Sequence, residues 1–229
     1  LKDRKFKGLA LSTNAHLLND AWQTGLLETG IETILFSIDG ILKETHEAIR
    51  PRVNYDRMLK NVIGMIEKRD AGNFTTRFII RFVHQPSNTN QWEEYRAFWK
   101  SVISEAKGDL ILRYDIHDWS GQVNAEHETD APPETQPCHH LFEKMVILAN
   151  GKLALCFEDI LEGKYGFGNA FEDDPIELFN SKGLNKLRKL HLAGKKGGHK
   201  MCGKCTVLET EANRLRGRGK VFIFSVIID

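Results

Sequence analysis

Residues 33–38 read TILFSI and are followed at once by Asp39 and Gly40, which is the pattern of a short buried strand that ends in a turn. Three further apolar runs have the same character: residues 8–12 (GLALS), 75–84 (TTRFIIRFVH) and 110–116. Such runs, which are mostly apolar on both faces, are typical of parallel strands covered by helices. The intervening segments predict four helices: one capped by Asn19, one at residues 43–49, one capped by Asn54 that ends near Gly72, and one at residues 90–106.

The alternation of strand and helix predicts an α/β fold in which parallel strands are joined by right-handed crossovers. Either part of a (β/α) barrel or a doubly wound sheet satisfies this order. Four parallel strands alone leave two bare sheet edges, and a strand already begins at residue 8. We therefore expect further strands upstream of Leu1.

The composition indicates a globular protein. Of the 229 residues, 41% are hydrophobic and 28% are charged, which allows a packed core and excludes a disordered chain. The 32 basic and 31 acidic residues leave a net charge of +1, which argues against binding to nucleic acid. The sequence has no secretory signal and no apolar run near the roughly 20 residues of a membrane span. We expect a cytoplasmic protein with no membrane partner.

The second half of the chain begins with a linker. Residues 120–137 are polar, contain three prolines and lack periodicity. Further on, Asn150 and Gly151 separate two apolar runs, residues 145–148 and 153–156, and this pattern predicts a tight hairpin.

Short helices are predicted at residues 176–179 and 184–192. The stretch GKKGG at residues 194–198 predicts a flexible loop in which Lys195 and Lys196 are solvated. The expected organisation has four parts: a partial barrel at residues 1–119, a linker at 120–137, a small domain at 138–206 and an unassigned tail at 207–229.

The four cysteines of the chain are Cys138, Cys156, Cys202 and Cys205. Clustered thiols in a protein without an export signal indicate metal or redox chemistry rather than disulfides. The Cys-x2-Cys spacing puts two sulfurs close together along the backbone, and four thiolates complete the coordination of one zinc ion or one iron–sulfur cluster. The plain alternative is that these side chains are buried, inert and hydrophobic.

The order of these residues resembles the SPASM-type auxiliary-cluster domain of radical S-adenosylmethionine (radical SAM) enzymes. The family opens with Cys…Gly-x4-Cys and closes with Cys-x2-Cys, and the matching residues are Cys138, Gly151, Cys156, Cys202 and Cys205. The element at Gly168 and Asn169 and the helix after it also follow the family's order. Because no cysteine follows Cys205, the resemblance implies a single auxiliary 4Fe-4S cluster bound by the four cysteines.

The upstream part resembles the radical SAM barrel. The stretch LSTNAHLL is similar to the turn after the family's third strand and contains Thr13 and Asn14, with Ala15 in place of the usual glycine. The stretch FSIDGILKETHEAIRP is similar to the fourth strand, where Ser37 and Asp39 match the pair that approaches the cofactor ribose. The resemblance covers about residues 8 to 206 and implies that these four side chains bind S-adenosylmethionine. Ordinary turn chemistry explains Asp39 and Asn14 equally well.

One departure from the family concerns the cluster that reduces S-adenosylmethionine. The sequence contains no C-x3-C-x2-C motif and lacks the glycine-rich stretch that receives the cofactor's amino group. Both would lie upstream of Leu1, so we expect the downstream portion of a truncated enzyme that is inactive alone. For the complete enzyme, the resemblance implies reductive cleavage to a 5′-deoxyadenosyl radical, which modifies a peptide or small molecule. An electron donor such as flavodoxin or ferredoxin is then required.

Arg81 shares a strand face with Ile79 and Val83. If that face is inside the barrel, the charge needs a partner, and a carboxylate of the cofactor or substrate would serve. An internal salt bridge or an outward-facing arginine are the alternatives. The fourth strand ends in four polar or aromatic residues that either face the substrate or are solvated at the rim, and we expect the solvated position: Asp115, His117, Asp118 and Trp119.

Two other functions also fit the sequence. The first is an iron–sulfur protein that binds a partner without radical chemistry. The second is a zinc-stabilised module on a barrel hydrolase, which would be colourless rather than brown and oxygen-sensitive.

Overall fold

The computed structural model describes residues 8–116, 118–122 and 136–205, which fall into two compact units that divide after Ile116. The unassigned tail at 207–229 and most of the linker lie outside the described residues. None of the helices in the described ranges is both long enough and apolar enough to cross a membrane.

The first unit contains a four-stranded parallel sheet. Its strands are β1 (Ala10–Thr13), β2 (Thr33–Ser37), β3 (Arg77–His84) and β4 (Leu110–Asp115), and they are paired in that order. The register places Ser37 beside Arg81, so two of the predicted site residues are neighbours across adjacent strands. All described pairings in this sheet are parallel, as predicted for an α/β fold.

Helices connect these strands: α1 (Asp20–Glu28), α2 (Lys43–Ile49), α3 (Tyr55–Ala71) and α4 (Trp92–Val102). The predicted caps are present, because Asn19 accepts from the backbone N–H of Trp22 and Asn54 from that of Arg57. Helix α4 is shorter than residues 90–106, since a 3-10 turn precedes it and Ile103 is extended.

One face of the sheet packs on these helices. Alternate residues of β2 and β3, Ile34, Phe36, Phe78, Ile80 and Phe82, belong to the core and are shielded from solvent. The aromatic stripe of α4 supplies Tyr95 and Trp99 to the same core. By alternation, Ser37 and Arg81 project from the opposite face.

The second unit is built from short elements: α5 (His140–Glu143), β5 (Val146–Ile147), β6 (Leu153–Ala154), α6 (Pro175–Phe179), α7 (Lys182–Leu192) and 3-10 turns at Lys196–Gly198 and Cys202–Lys204. Strands β5 and β6 form the predicted hairpin around Gly151, whose φ is +82°. A small apolar cluster holds the unit together and includes three of the cysteines, Cys138, Cys156 and Cys202.

Candidate functional site

Asp39 lies just past the carboxyl end of β2, and both of its carboxylate oxygens are bound within the chain. Oδ2 accepts from Nε of Arg50 at 2.7 Å, and Oδ1 accepts from the backbone N–H of Val83 at 2.9 Å. The backbone carbonyl of Asp39 accepts from Asn88 at 2.9 Å, and the side chain is only 3% exposed. Asp39 thus links the end of β2 to β3 through Val83 and to the end of α2 through Arg50. These contacts hold the side chain of Arg50 in position.

Ser37 and Arg81 contact each other directly, because Nη2 of Arg81 donates to Oγ of Ser37. Nε of Arg81 is buried without a hydrogen-bond partner. Burial first, and the charge of Arg50 second, lower the pKa of Arg81, while Asp39 acts in the opposite direction. Arg50 pairs with Asp39, whereas none of the ion pairs in the described residues includes Arg81, so the surplus positive charge at this edge suits an anionic group.

His46 is a second buried group at this edge that sequence reasoning missed. Its Nδ1 accepts from the backbone N–H of Asp39 at 3.1 Å, and its Nε2 has no partner. Burial, followed by the charge of Arg50, lowers the pKa of His46 to about 4, so the ring is neutral at physiological pH. The four-residue spacing of His46 and Arg50 on α2 was the signal available in the sequence.

Thr13 and Asn14 act locally. Oγ1 of Thr13 accepts from the backbone N–H of Ala15, and Oδ1 of Asn14 from that of His16, both at 3.0 Å. Ala15 adopts a left-handed φ of 59°, the conformation that favours glycine. Both polar side chains therefore stabilise the turn after β1.

Of the remaining rim residues, Asp115 meets Nδ1 of His84 at 3.1 Å and its side chain is 66% exposed. This agrees with a solvated position at the end of β4. His117 lies outside the described residues.

The four cysteines all lie in the described part of the second unit, and none of them forms a disulfide. Cys156 follows β6, and Cys138 precedes α5. Cys202 begins a 3-10 turn, and Cys205 comes directly after that turn. Cys156 and Cys202 are 9% and 7% exposed and pack with Cys138 in the apolar cluster. Cys156, which follows the hairpin, and Cys202, which lies after α7, therefore have their sulfur atoms in the same buried region.

The thiols also influence one another electrostatically. Burial raises the pKa of Cys202 to about 12, and the charges of Cys205 and Cys138 raise it further. Burial likewise raises the pKa of Cys138 and of Cys156, with Cys205 acting on both. Each sulfur thus lies within electrostatic range of others in the set, and a bound cation would relieve the repulsion between their thiolates.

Within residues 8–116, 118–122 and 136–205, no three His, Cys, Asp or Glu side chains are close enough together to hold a metal ion. The donor chemistry of the set nevertheless suits an iron–sulfur cluster, because four thiolates are the ligands that such clusters take.

Backbone contacts fix the segments that carry the cysteines. The N–H of Cys138 donates to Nδ1 of His191 at 3.2 Å, and the N–H of Cys202 donates to Nδ1 of His199 at 3.3 Å. Asp159 is fully buried, and its Oδ2 accepts from the backbone N–H of Leu155 at 3.0 Å. This hydrogen bond joins the residues on either side of Cys156.

The burial of Lys196 differs from what the sequence predicted. The loop at residues 194–198 was expected to be solvated, and Lys195 is exposed, but Lys196 is only 3% exposed. Its charge lowers the pKa of Cys138 and of Cys202, in opposition to burial. The expectation was wrong because two adjacent lysines in a polar, glycine-rich stretch carry no signal of which one turns inward.

Residues 138–206 match the family model of the SPASM domain, an iron–sulfur cluster-binding domain. The match confirms the resemblance seen in the cysteine spacing. This part of the second unit is therefore similar to a domain that binds an iron–sulfur cluster.

Solved structures share the fold of the chain. The crystal structure of Streptococcus suis SuiB aligns with 80% of this chain and 51% of its own, at 15% identity and a TM-score of 0.53. The structure of SuiB bound to S-adenosylmethionine aligns with 80% and 50%, at 15% identity and a TM-score of 0.51. The likeness confirms the α/β fold class.

A curated relative is an uncharacterized protein of Treponema pallidum (strain Nichols), which is 26% identical over 122 residues. The alignment covers 52% of this chain and 30% of that protein. The chain thus spans about half of SuiB and less than a third of the Treponema protein.

Proposed function

We propose that the chain forms part of a radical SAM enzyme, because residues 138–206 match the SPASM family model and the chain shares its fold with SuiB. In this proposal, the carboxyl edge of the sheet helps to hold S-adenosylmethionine, and the four cysteines hold one auxiliary 4Fe-4S cluster. The substrate is a peptide or a small molecule, and the electron comes from a flavodoxin or ferredoxin. Four free thiols agree with a reducing compartment, and we place the protein in the cytoplasm.

A single observation carries the proposal: four cysteines that form no disulfide lie in one region of the second unit, two of them almost fully buried, where burial first and neighbouring cysteines second raise the pKa of Cys138, Cys156 and Cys202. Several buried thiols are costly to ionise together in an apolar cluster unless a cationic inorganic core compensates them. We therefore assign Cys138, Cys156, Cys202 and Cys205 as the cluster ligands.

The sheet edge would bind the nucleoside and the amino-acid part of the cofactor. Ser37 offers a hydroxyl, and the surplus charge of Arg81 and Arg50 suits the cofactor carboxylate. Asp39 acts by holding Arg50 rather than by contacting the ribose, since both of its carboxylate oxygens are engaged. Thr13 and Asn14 shape the turn beside this edge.

In the complete enzyme, bound S-adenosylmethionine would supply the radical that removes a hydrogen atom from the substrate. The residues of this chain would orient the nucleoside and shield it from water. His46 stays neutral there and adds no charge to the site.

The experiment is anaerobic purification and reconstitution of the 229-residue chain, followed by iron, sulfide and zinc analysis. We expect about four iron and four sulfide per chain. Cys156→Ser and Cys205→Ser should lose the cluster. Met201→Leu is the matched control, because Met201 is a buried sulfur-containing neighbour of Cys202 that the proposal does not use as a ligand.

The rival functions are outcomes of the same experiment. Stoichiometric zinc without sulfide would overturn the cluster and support a zinc module. A complete cluster in a chain that binds neither S-adenosylmethionine nor 5′-deoxyadenosine would support an iron–sulfur protein without radical chemistry.

A further inference from the structure

The 3-10 turn Lys196–Gly198 packs directly against the turn that contains Cys202. A Cβ atom on Gly203 would lie 2.7 Å from the carbonyl oxygen of Gly197, so only glycine allows this approach. The N–H of Gly203 also donates to the carbonyl of His199 at 2.8 Å. The backbone that carries Lys196 is therefore held against the Cys-x2-Cys segment.

The side chain of Lys196 turns inward from this turn. It is 3% exposed, whereas its neighbours Lys195 and Lys200 are exposed. In the part of the chain that the structure describes, no carboxylate forms an ion pair with Lys196. A buried ammonium without a carboxylate is unfavourable unless other negative charge compensates it.

The sulfur atoms supply such negative charge when they are ionised as cluster ligands. Lys196 is the cation that lowers the pKa of both Cys138 and Cys202, which come from opposite ends of the domain sequence. An ammonium in this position faces the same negative charge that a thiolate-bound cluster would present.

We propose that Lys196 neutralises part of the negative charge of the cysteine-bound cluster and thereby raises its reduction potential. The inference rests on the proposed function, because it requires a cluster on the four cysteines. A one-electron reduction adds one negative charge to a centre that four thiolates already make anionic. A fixed positive charge nearby stabilises the reduced form more than the oxidised form, and net charge is one of the factors that set such potentials.

The test is a redox titration of the reconstituted 229-residue chain, followed by electron paramagnetic resonance of the reduced cluster. Lys196→Met should lower the reduction equilibrium constant about tenfold, which is a midpoint about 59 mV more negative for one electron. Lys195→Met is the matched control, because it removes an exposed lysine from the adjacent position, and its midpoint should equal that of the unmodified chain. Lys196→Arg should restore most of the potential.

Equal midpoints for Lys196→Met and the unmodified chain, at equal iron content, would overturn the inference while leaving the cluster proposal intact. Absence of iron and sulfide from the unmodified chain would instead overturn the proposed function. If Lys196→Met and Lys196→Gln both lose the cluster, retention in Lys196→Arg supports the role of charge. Loss in Lys196→Arg as well would show that the side chain has only a packing role.

Discussion

Arg69 and Asp109 form a buried ion pair with two parallel hydrogen bonds, from Nη1 to Oδ1 at 2.7 Å and from Nη2 to Oδ2 at 2.9 Å. Neither side chain is exposed to solvent. Asp109 also accepts from the backbone N–H of Phe78 at 2.8 Å and of Ser104 at 2.9 Å. The pair therefore ties α3 to the amino ends of β3 and β4, at the sheet edge opposite to Ser37 and Asp39.

Asp109→Asn should lower the free energy of unfolding by about 3–5 kcal/mol, because it removes the buried, doubly bonded countercharge of Arg69 and leaves only the partly exposed Asp70. Urea denaturation monitored by fluorescence measures the change. The control is Asp70→Asn, which removes another partner of Arg69 whose side chain is 41% exposed, and we expect a loss of at most about 1 kcal/mol. Equal losses for the two variants would contradict the role assigned to burial.

The local patterns of the sequence predicted the helices and strands well. They did not predict which groups the buried polar side chains contact. Asn54 and the apolar spacing after it predicted α3, and Asn150 with Gly151 predicted the hairpin, because both signals act within a few residues. The family resemblance added the cysteine set and the pair at Ser37 and Asp39.

The sequence could not show that Asp39 is fully engaged by Arg50 and Val83, since that depends on where α2 and β3 pack. The same limit applies to Lys195 and Lys196. Two adjacent, chemically identical side chains differ in burial only because the turn that carries them rests on the Cys202 segment.

His46 makes the first unit sensitive to acid. Because burial lowers its pKa from 6.5 to about 4, the unfolded chain binds a proton that the folded chain excludes between these values. The contribution of His46 to the free energy of unfolding is fully present above about pH 6.5 and is lost as the pH falls toward 4. The loss should reach about 3 kcal/mol, measured by urea denaturation across that range. His46→Asn, which can still accept from Asp39, should show a smaller loss on acidification, and an unchanged pH profile would contradict this account.

Gly151 is required by the hairpin that leads to Cys156. Its φ is +82°, and a Cβ atom would lie 2.1 Å from Oδ1 of Asn169. Gly151→Ala should cost at least about 1–2 kcal/mol from the left-handed backbone alone, with more from the collision. It should also reduce the iron bound after reconstitution. Gly198→Ala is the control in the same domain, because nothing lies within 4 Å of its added Cβ. Full iron content in Gly151→Ala would show that the hairpin does not position Cys156.

We expect Arg81 to strengthen the binding of ligands that carry a carboxylate and to have no effect on ligands that lack one. Its surplus charge is the feature of the sheet edge that suits the amino-acid part of S-adenosylmethionine, whereas 5′-deoxyadenosine lacks that part. Arg81→Met should therefore weaken binding of S-adenosylmethionine about tenfold or more, measured by equilibrium dialysis, and leave 5′-deoxyadenosine binding unchanged. Arg96→Met, on the exposed side of α4, is the matched control and should affect neither ligand. An equal loss for both ligands in Arg81→Met would mean that Arg81 supports the packing around Ser37, and the carboxylate would then have to be bound elsewhere.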